Sequence, residues 1–244
     1  MVLHYVRESW ESYRENWMSF VVAELFVLII VGIVALIGLG IILSSAELST
    51  LMLLSPKELI PRIGSVLSLF AGVGTAFIFF IISGLVWIYL KTGLYGMAVQ
   101  SLRGKTRVKS MFNVAKRLGL TGLLTSVLVF IIAFFLMTIL VMGFGIFLRE
   151  VGAVIGFVLF LLVMILFSLI FPGIVVDQLG VIKTIEMSIR IVMKNYFEML
   201  GLLLLYGVLA FVISLIPLLG ALIVIFVLAP MAWMSLVLFY KMKK

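Results

Sequence analysis

"SIRIVMKNYFEML" (residues 188–200) reads as a second writing of "SWESYRENWMSF" (9–20). In each, a serine (Ser188, Ser9) is followed seven positions later by an asparagine (Asn195, Asn16), and the asparagine by an aromatic residue (Tyr196, Trp17). A weaker third copy is "SMFNVAKRL" (110–118). Aligning Ser9, Ser110 and Ser188 puts Trp10, Met111 and Ile189 in one register, Tyr13, Val114 and Val192 in the next, and Trp17, Leu118 and Tyr196 in a third. Apolar residues at i, i+3 and i+7, with Arg14, Lys116 and Lys194 on the other side, predict an amphipathic helix in each copy. Such a helix, aromatic on one face and basic on the other, suits a membrane interface ahead of a spanning segment.

Each copy leads into an apolar stretch. Hydrophobic residues make up 65% of the chain and charged residues 11%, a polytopic membrane composition. Uncharged runs extend from Leu25 to Ala46, Ile63 to Leu90, Leu118 to Leu148, Val151 to Val176 and Met199 to Tyr240. Each exceeds the roughly 20 residues that cross a bilayer core. The last is long enough to cross twice, with its turn at Pro217 and Gly220. The expected fold is all-α: six transmembrane helices as three parallel helical-hairpin repeats (1–95, 104–176, 179–244) in one membrane domain of 1–244, each preceded by an interfacial helix. The first apolar run is too long for a signal peptide and has no small-residue cleavage site at its end.

With both termini on the cytoplasmic side of a cell membrane, fifteen of the eighteen basic residues lie inside; only Lys57, Arg62 and Arg149 lie outside. This is the distribution that the positive-inside rule requires. Arg103, Lys105, Arg107, Lys109, Lys116 and Arg117 then form a basic inner face, an expected contact for anionic lipid. Nucleic acid is not an expected partner so close to a membrane. Absence of cysteine excludes disulfides and thiolate metal sites. With three Asn and two Gln, the chain is poor in thermolabile residues, as in a thermophile.

Gly64, Ser68, Gly72 and Ala76 recur every four residues in the second span, a stripe that permits close helix packing, and Gly152 and Gly156 open the fourth. Packing within the chain is the first reading of the stripe; a seam with a second copy or another membrane protein is the alternative. "SPKEL" (55–59) has the capping-box pattern of a short external helix, with Ser55 as cap, Pro56 next and Glu58 three on.

Chemistry is sparse. One histidine (His4) and one aspartate (Asp177) allow neither a His-based zinc motif nor an aspartyl dyad, so neither an enzyme, a metal nor a cofactor is expected. "GKT" at 104–106 matches the end of a phosphate-binding loop, but Val99 stands where that loop needs glycine. Glu24, about 10 Å along the helix from Trp17, is the one ionisable residue expected inside the hydrocarbon. It is a candidate ligand or ion site together with Asp177, Asn16 and Asn195 at the inner rim.

"FPGIVVDQLGVIKTIEMSIRIVMKNYFEML" (171–200) resembles a signature of a loosely defined group of six-span membrane proteins, which includes the membrane domain of some glycerophosphoryl diester phosphodiesterases. The resemblance rests on Pro172, the aliphatics Ile174 to Val176 and Asp177 at the end of a span, then Ser188 and Asn195 before the next. It implies six spans and no catalytic residue, since no phosphodiesterase domain is present. The expected function is non-enzymatic binding or handling of lipid or another hydrophobic molecule. A pore or transport subunit, and a scaffold that recruits a partner through its interfacial helices, are the alternatives.

Overall fold

The computed structural model describes residues 2–44 and 63–244, with side chains at 2–40, 73–146 and 148–244. Helix α1 is Val2–Ser44, α2 Ile63–Ser101, α3 Val108–Met137, α4 Gly143–Met164, α5 Ile170–Asp177, α6 Val181–Lys194, α7 Tyr196–Ser214, α8 Leu219–Ile223 and α9 Ala229–Lys243. A π-helical turn, Thr138–Met142, joins α3 to α4, and another, Val224–Leu228, joins α8 to α9. Among the described residues there is no strand. Six stretches are long and apolar enough to cross a membrane: Val2–Gly40, Val73–Ser101, Val108–Ile146, Leu148–Asp177, Tyr196–Ser214 and Leu219–Lys243. The chain is a multi-pass helical membrane protein.

The "SPKEL" segment lies outside the described residues, and of Gly64, Ser68 and Gly72 only the backbone is described. Ala76, the last of that stripe, is buried.

The first two copies are not separate interfacial helices. α1 continues from its amphipathic start into the span for 43 residues, about 64 Å at the usual rise. α3 likewise passes through 110–118 without a break. No glycine or proline before Gly32 in α1 or Gly119 in α3 forces a break, but the third copy has none between Val181 and Leu200 either, so composition alone does not explain which copy is split. Only the third copy is split, at Asn195 (φ −128°, ψ 34°), between α6 and α7.

Contacts divide the chain into two compact units, Leu25–Trp87 and the remainder, Met1–Glu24 with Ile88–Lys244. Within the smaller unit α1 and α2 run antiparallel: Ser83 Oγ donates to the Val31 carbonyl at 3.1 Å, and a Cβ on Gly38 would stand 2.8 Å from Phe79 Cβ. In lipid no water is displaced between helices, so such close, small-residue contact supplies the attraction.

The larger unit has its core toward the helix ends nearest 2–24, 88–118, 169–199 and 231–240. Tyr5, Phe20, Leu94, Met97, Met111, Ile174, Met199, Leu202, Met234 and Phe239 are fully buried there. Burial along α1, along α3 and from α6 into α7 follows a 4-3-4-3 spacing: Ser9, Tyr13, Asn16, Phe20 and Ala23; Met111, Ala115, Leu118, Gly122 and Thr125; and Ser188, Val192, Met199 and Leu202, with Asn195 half-buried. Away from this core, Phe130, Phe134, Ile139, Val154, Phe157, Leu204 and Phe211 are exposed, as side chains facing hydrocarbon are.

The turns are tight. The chain reverses at Arg149 (φ 55°, ψ −135°), and the Gly152 and Gly156 backbones lie against Phe144 and Leu140, where a Cβ would collide with carbonyl oxygen. The spacing of these two glycines therefore serves packing within the chain. The turn expected near Pro217 falls between α7 and α8, with Leu218 at φ 65° and Gly220 against Ile213.

Candidate functional site

Glu24 is buried, 5% exposed, and the charge acting on it is Lys91. Glu24 comes from α1, ahead of which the chain has no helix breaker, and Lys91 from α2, whose apolar run ends at Leu90 by hydropathy alone. The helix itself runs ten residues past Lys91, through the buried Leu94, Met97 and Ala98. Lys91 therefore lies within a helix long and apolar enough to cross a membrane, Val73–Ser101. Its ammonium stands 5.0 Å from the centroid of Phe171, a cation–π distance. Phe171 stacks on Tyr95 at 5.2 Å, and Tyr95 meets Trp233 at 5.9 Å. The Lys91 ammonium thus stands against a run of aromatic rings from α2, α5 and α9. A charge pair in such surroundings persists only when each charge answers the other.

Asp177 and the asparagines have other work. Asp177 ends α5 and accepts hydrogen bonds at 2.6 Å from Tyr240 Oη and from Lys244 Nζ, which ties it to α9. Glu198 is held in a similar way by Lys243 at 2.8 Å and Tyr5 Oη at 3.3 Å. Asn16 grips the loop between α2 and α3: its Nδ2 donates to the Gly104 carbonyl and its Oδ1 accepts from the Thr106 amide at 2.8 Å. The Asn195 side chain donates to the Ile191 carbonyl of α6. Ser9, singled out by the repeated passage, meets Ser235 Oγ at 2.8 Å. Ser188 donates to the Leu166 carbonyl and accepts from the Leu169 amide. Arg103, Lys105, Arg107, Lys109, Lys116 and Arg117 are all exposed. Among the described residues no three His, Asp or Glu side chains gather as a metal site requires.

One cavity is apolar. A groove of about 470 Å³ lies between α4 and α7, lined by Val158, Leu161, Leu162, Ile165, Leu200, Leu203, Leu204, Gly207, Val208 and Phe211. Several of these, among them Leu161, Leu204 and Phe211, are half or more exposed, so the groove opens sideways onto the face that meets lipid. A second cleft of about 320 Å³ has Phe171 in its wall together with Ser126, Phe130 and Ser168.

No protein-family model, curated protein or solved structure matches this chain. The site is therefore read from its own chemistry.

Proposed function

We propose that this protein is a non-enzymatic membrane protein that binds or handles a lipid or another hydrophobic molecule. The groove between α4 and α7 carries this reading. Its lining offers aliphatic and aromatic surface with no charged side chain, and its size suits part of an acyl chain or another compact apolar group.

Native mass spectrometry of protein released from lipid nanodiscs tests it. A defined lipid mass should remain on the wild type and be lost when Leu161→Trp and Leu204→Trp fill the groove. Release of a bare protein from every lipid mixture would overturn the reading.

Three repeats remain the architecture that best accounts for the contacts. Residues 108–122 pack on the end of α2, where Met111 and Val114 face Gly93 and Gly96. α6 packs on the end of the fourth span through Ser188. Residues 5–13 pack on the sixth through Ser9 to Ser235 and Tyr13 Oη to the Phe226 carbonyl. Each amphipathic segment thus sits on the span that precedes it in cyclic order, as parallel repeats about a membrane normal would. Burial favours aligning Ser9 and Ser188 with Met111 rather than Ser110. On this reading both termini face the cytoplasm, as the basic residues require.

The Glu24 and Lys91 pair supports a second reading, a transport subunit, because ionisable groups within spanning helices mark pathways. Glu24→Gln should then change ion or solute flux through reconstituted protein. Unaltered flux removes this reading.

A further inference from the structure

The loop between α2 and α3 is short, basic and unusually well held. Only 102–107 separates the two helices, and Gly104, at φ +143°, makes its turn. Its backbone is closed by the Arg103 amide on the Gln100 carbonyl at 2.9 Å and the Gly104 amide on the Ser101 carbonyl at 3.2 Å. From α1, Asn16 clasps the turn with both ends of its amide, at the Gly104 carbonyl and the Thr106 amide. Ser19 Oγ adds a third tie, to the Thr106 carbonyl at 3.0 Å. Asn16 is 4% exposed, so this polar side chain is buried for the sake of the loop.

The clasp holds charge outward. Arg103, Lys105 and Arg107 are exposed, and none enters a salt bridge among the described residues. Four other bases of the larger unit are answered, Arg7 by Glu11, Arg190 by Glu186, Lys243 by Glu198 and Lys244 by Asp177, whereas Lys109, Lys116 and Arg117, just beyond the loop, are exposed and enter no salt bridge among the described residues either. Arg103 also acts on another cation, Lys241. Trp17, next to Asn16 on α1, and Phe112, in the second turn of α3, are exposed aromatic residues such as stand at the headgroup level of a bilayer.

We propose that the 102–107 loop, latched by Asn16 to α1, is a pre-ordered docking surface for the headgroups of anionic lipids. Holding in advance the backbone that bears three cations spares part of the ordering cost that a floppy basic loop meets on binding. Asn16 acts as a positioning residue: it touches no lipid and carries no charge. The proposal does not rest on the groove; groove variants alter whether a lipid is retained, and loop variants alter which headgroup is chosen.

The test reconstitutes the full chain in nanodiscs of equal phosphatidylglycerol and phosphatidylcholine with the same acyl chains. The ratio of the two lipids still attached on release is read by native mass spectrometry. The wild type should favour phosphatidylglycerol. Arg103→Gln, Lys105→Gln and Arg107→Gln together should cut that preference about fivefold or more, since one base near an anionic surface is itself worth roughly fivefold. Asn16→Ala, or the milder Ser19→Ala, should reduce it with the net charge unchanged, whereas Arg190→Gln, at a base already answered by Glu186, should not. An unchanged ratio in the triple variant overturns the docking surface. An unchanged ratio in folded Asn16→Ala and Ser19→Ala overturns the latch.

Discussion

A single hydroxyl illustrates how the larger unit is closed. Ser235 Oγ lies 2.8 Å from Ser9 Oγ, 2.7 Å from Tyr206 Oη and 3.3 Å from the Tyr5 carbonyl, all buried. One donor and two acceptor positions satisfy all three partners if Ser235 donates to Tyr5 and accepts from the other two. Ser235→Ala should therefore cost about 1–2 kcal/mol, read as lower thermal stability in detergent, because two buried hydroxyls lose an acceptor together. Leu218, 81% exposed at φ 65°, points the other way: Leu218→Gly should stabilise by about 1 kcal/mol in the same measurement, since only glycine takes that backbone without strain. Ser9 was visible in the sequence as a repeated residue. Its partner was not, because nothing in local spacing marks a serine 226 positions away.

Among the elements, the glycines divide by what faces them. Gly156 has the Leu140 carbonyl where its Cβ would be, whereas Gly143 has nothing within 4 Å. Gly156→Val should therefore separate the third and fourth spans and cost more than about 2 kcal/mol. Gly143→Ala should be neutral or gain up to about 1 kcal/mol from helix propensity. Equal losses of thermal stability in the two variants would contradict this packing. The pair Gly152 and Gly156 was legible because small residues four apart form a ridge-free face on any helix. Gly93 and Gly96 were not, since their importance comes from Met111 and Val114 across a loop. The unbroken passage of α1 and α3 through their amphipathic segments also escaped pattern reading. Periodicity reports which face is apolar and is silent on where the axis bends.

At the scale of the molecule, the Glu24 and Lys91 pair is set among side chains of α1, α2, α5 and α9. Removing either charge leaves the other uncompensated, so Glu24→Gln and Lys91→Met should each cost about 3–5 kcal/mol, and the double variant much less than their sum. A double-mutant cycle on thermal stability measures the coupling, and strict additivity would dismiss the pair. Hydropathy brought out Glu24 because it interrupts an apolar run. It hid Lys91 because that residue follows one, and only the course of α2 reveals that burial resumes beyond it.

The groove between α4 and α7 opens toward hydrocarbon and not toward water. Any occupant must then arrive by two-dimensional diffusion, and its mole fraction in the bilayer sets occupancy, whatever its concentration in the surrounding buffer. Diluting a candidate ligand with inert lipid at fixed protein should empty the groove, while diluting the whole suspension with buffer should leave it filled.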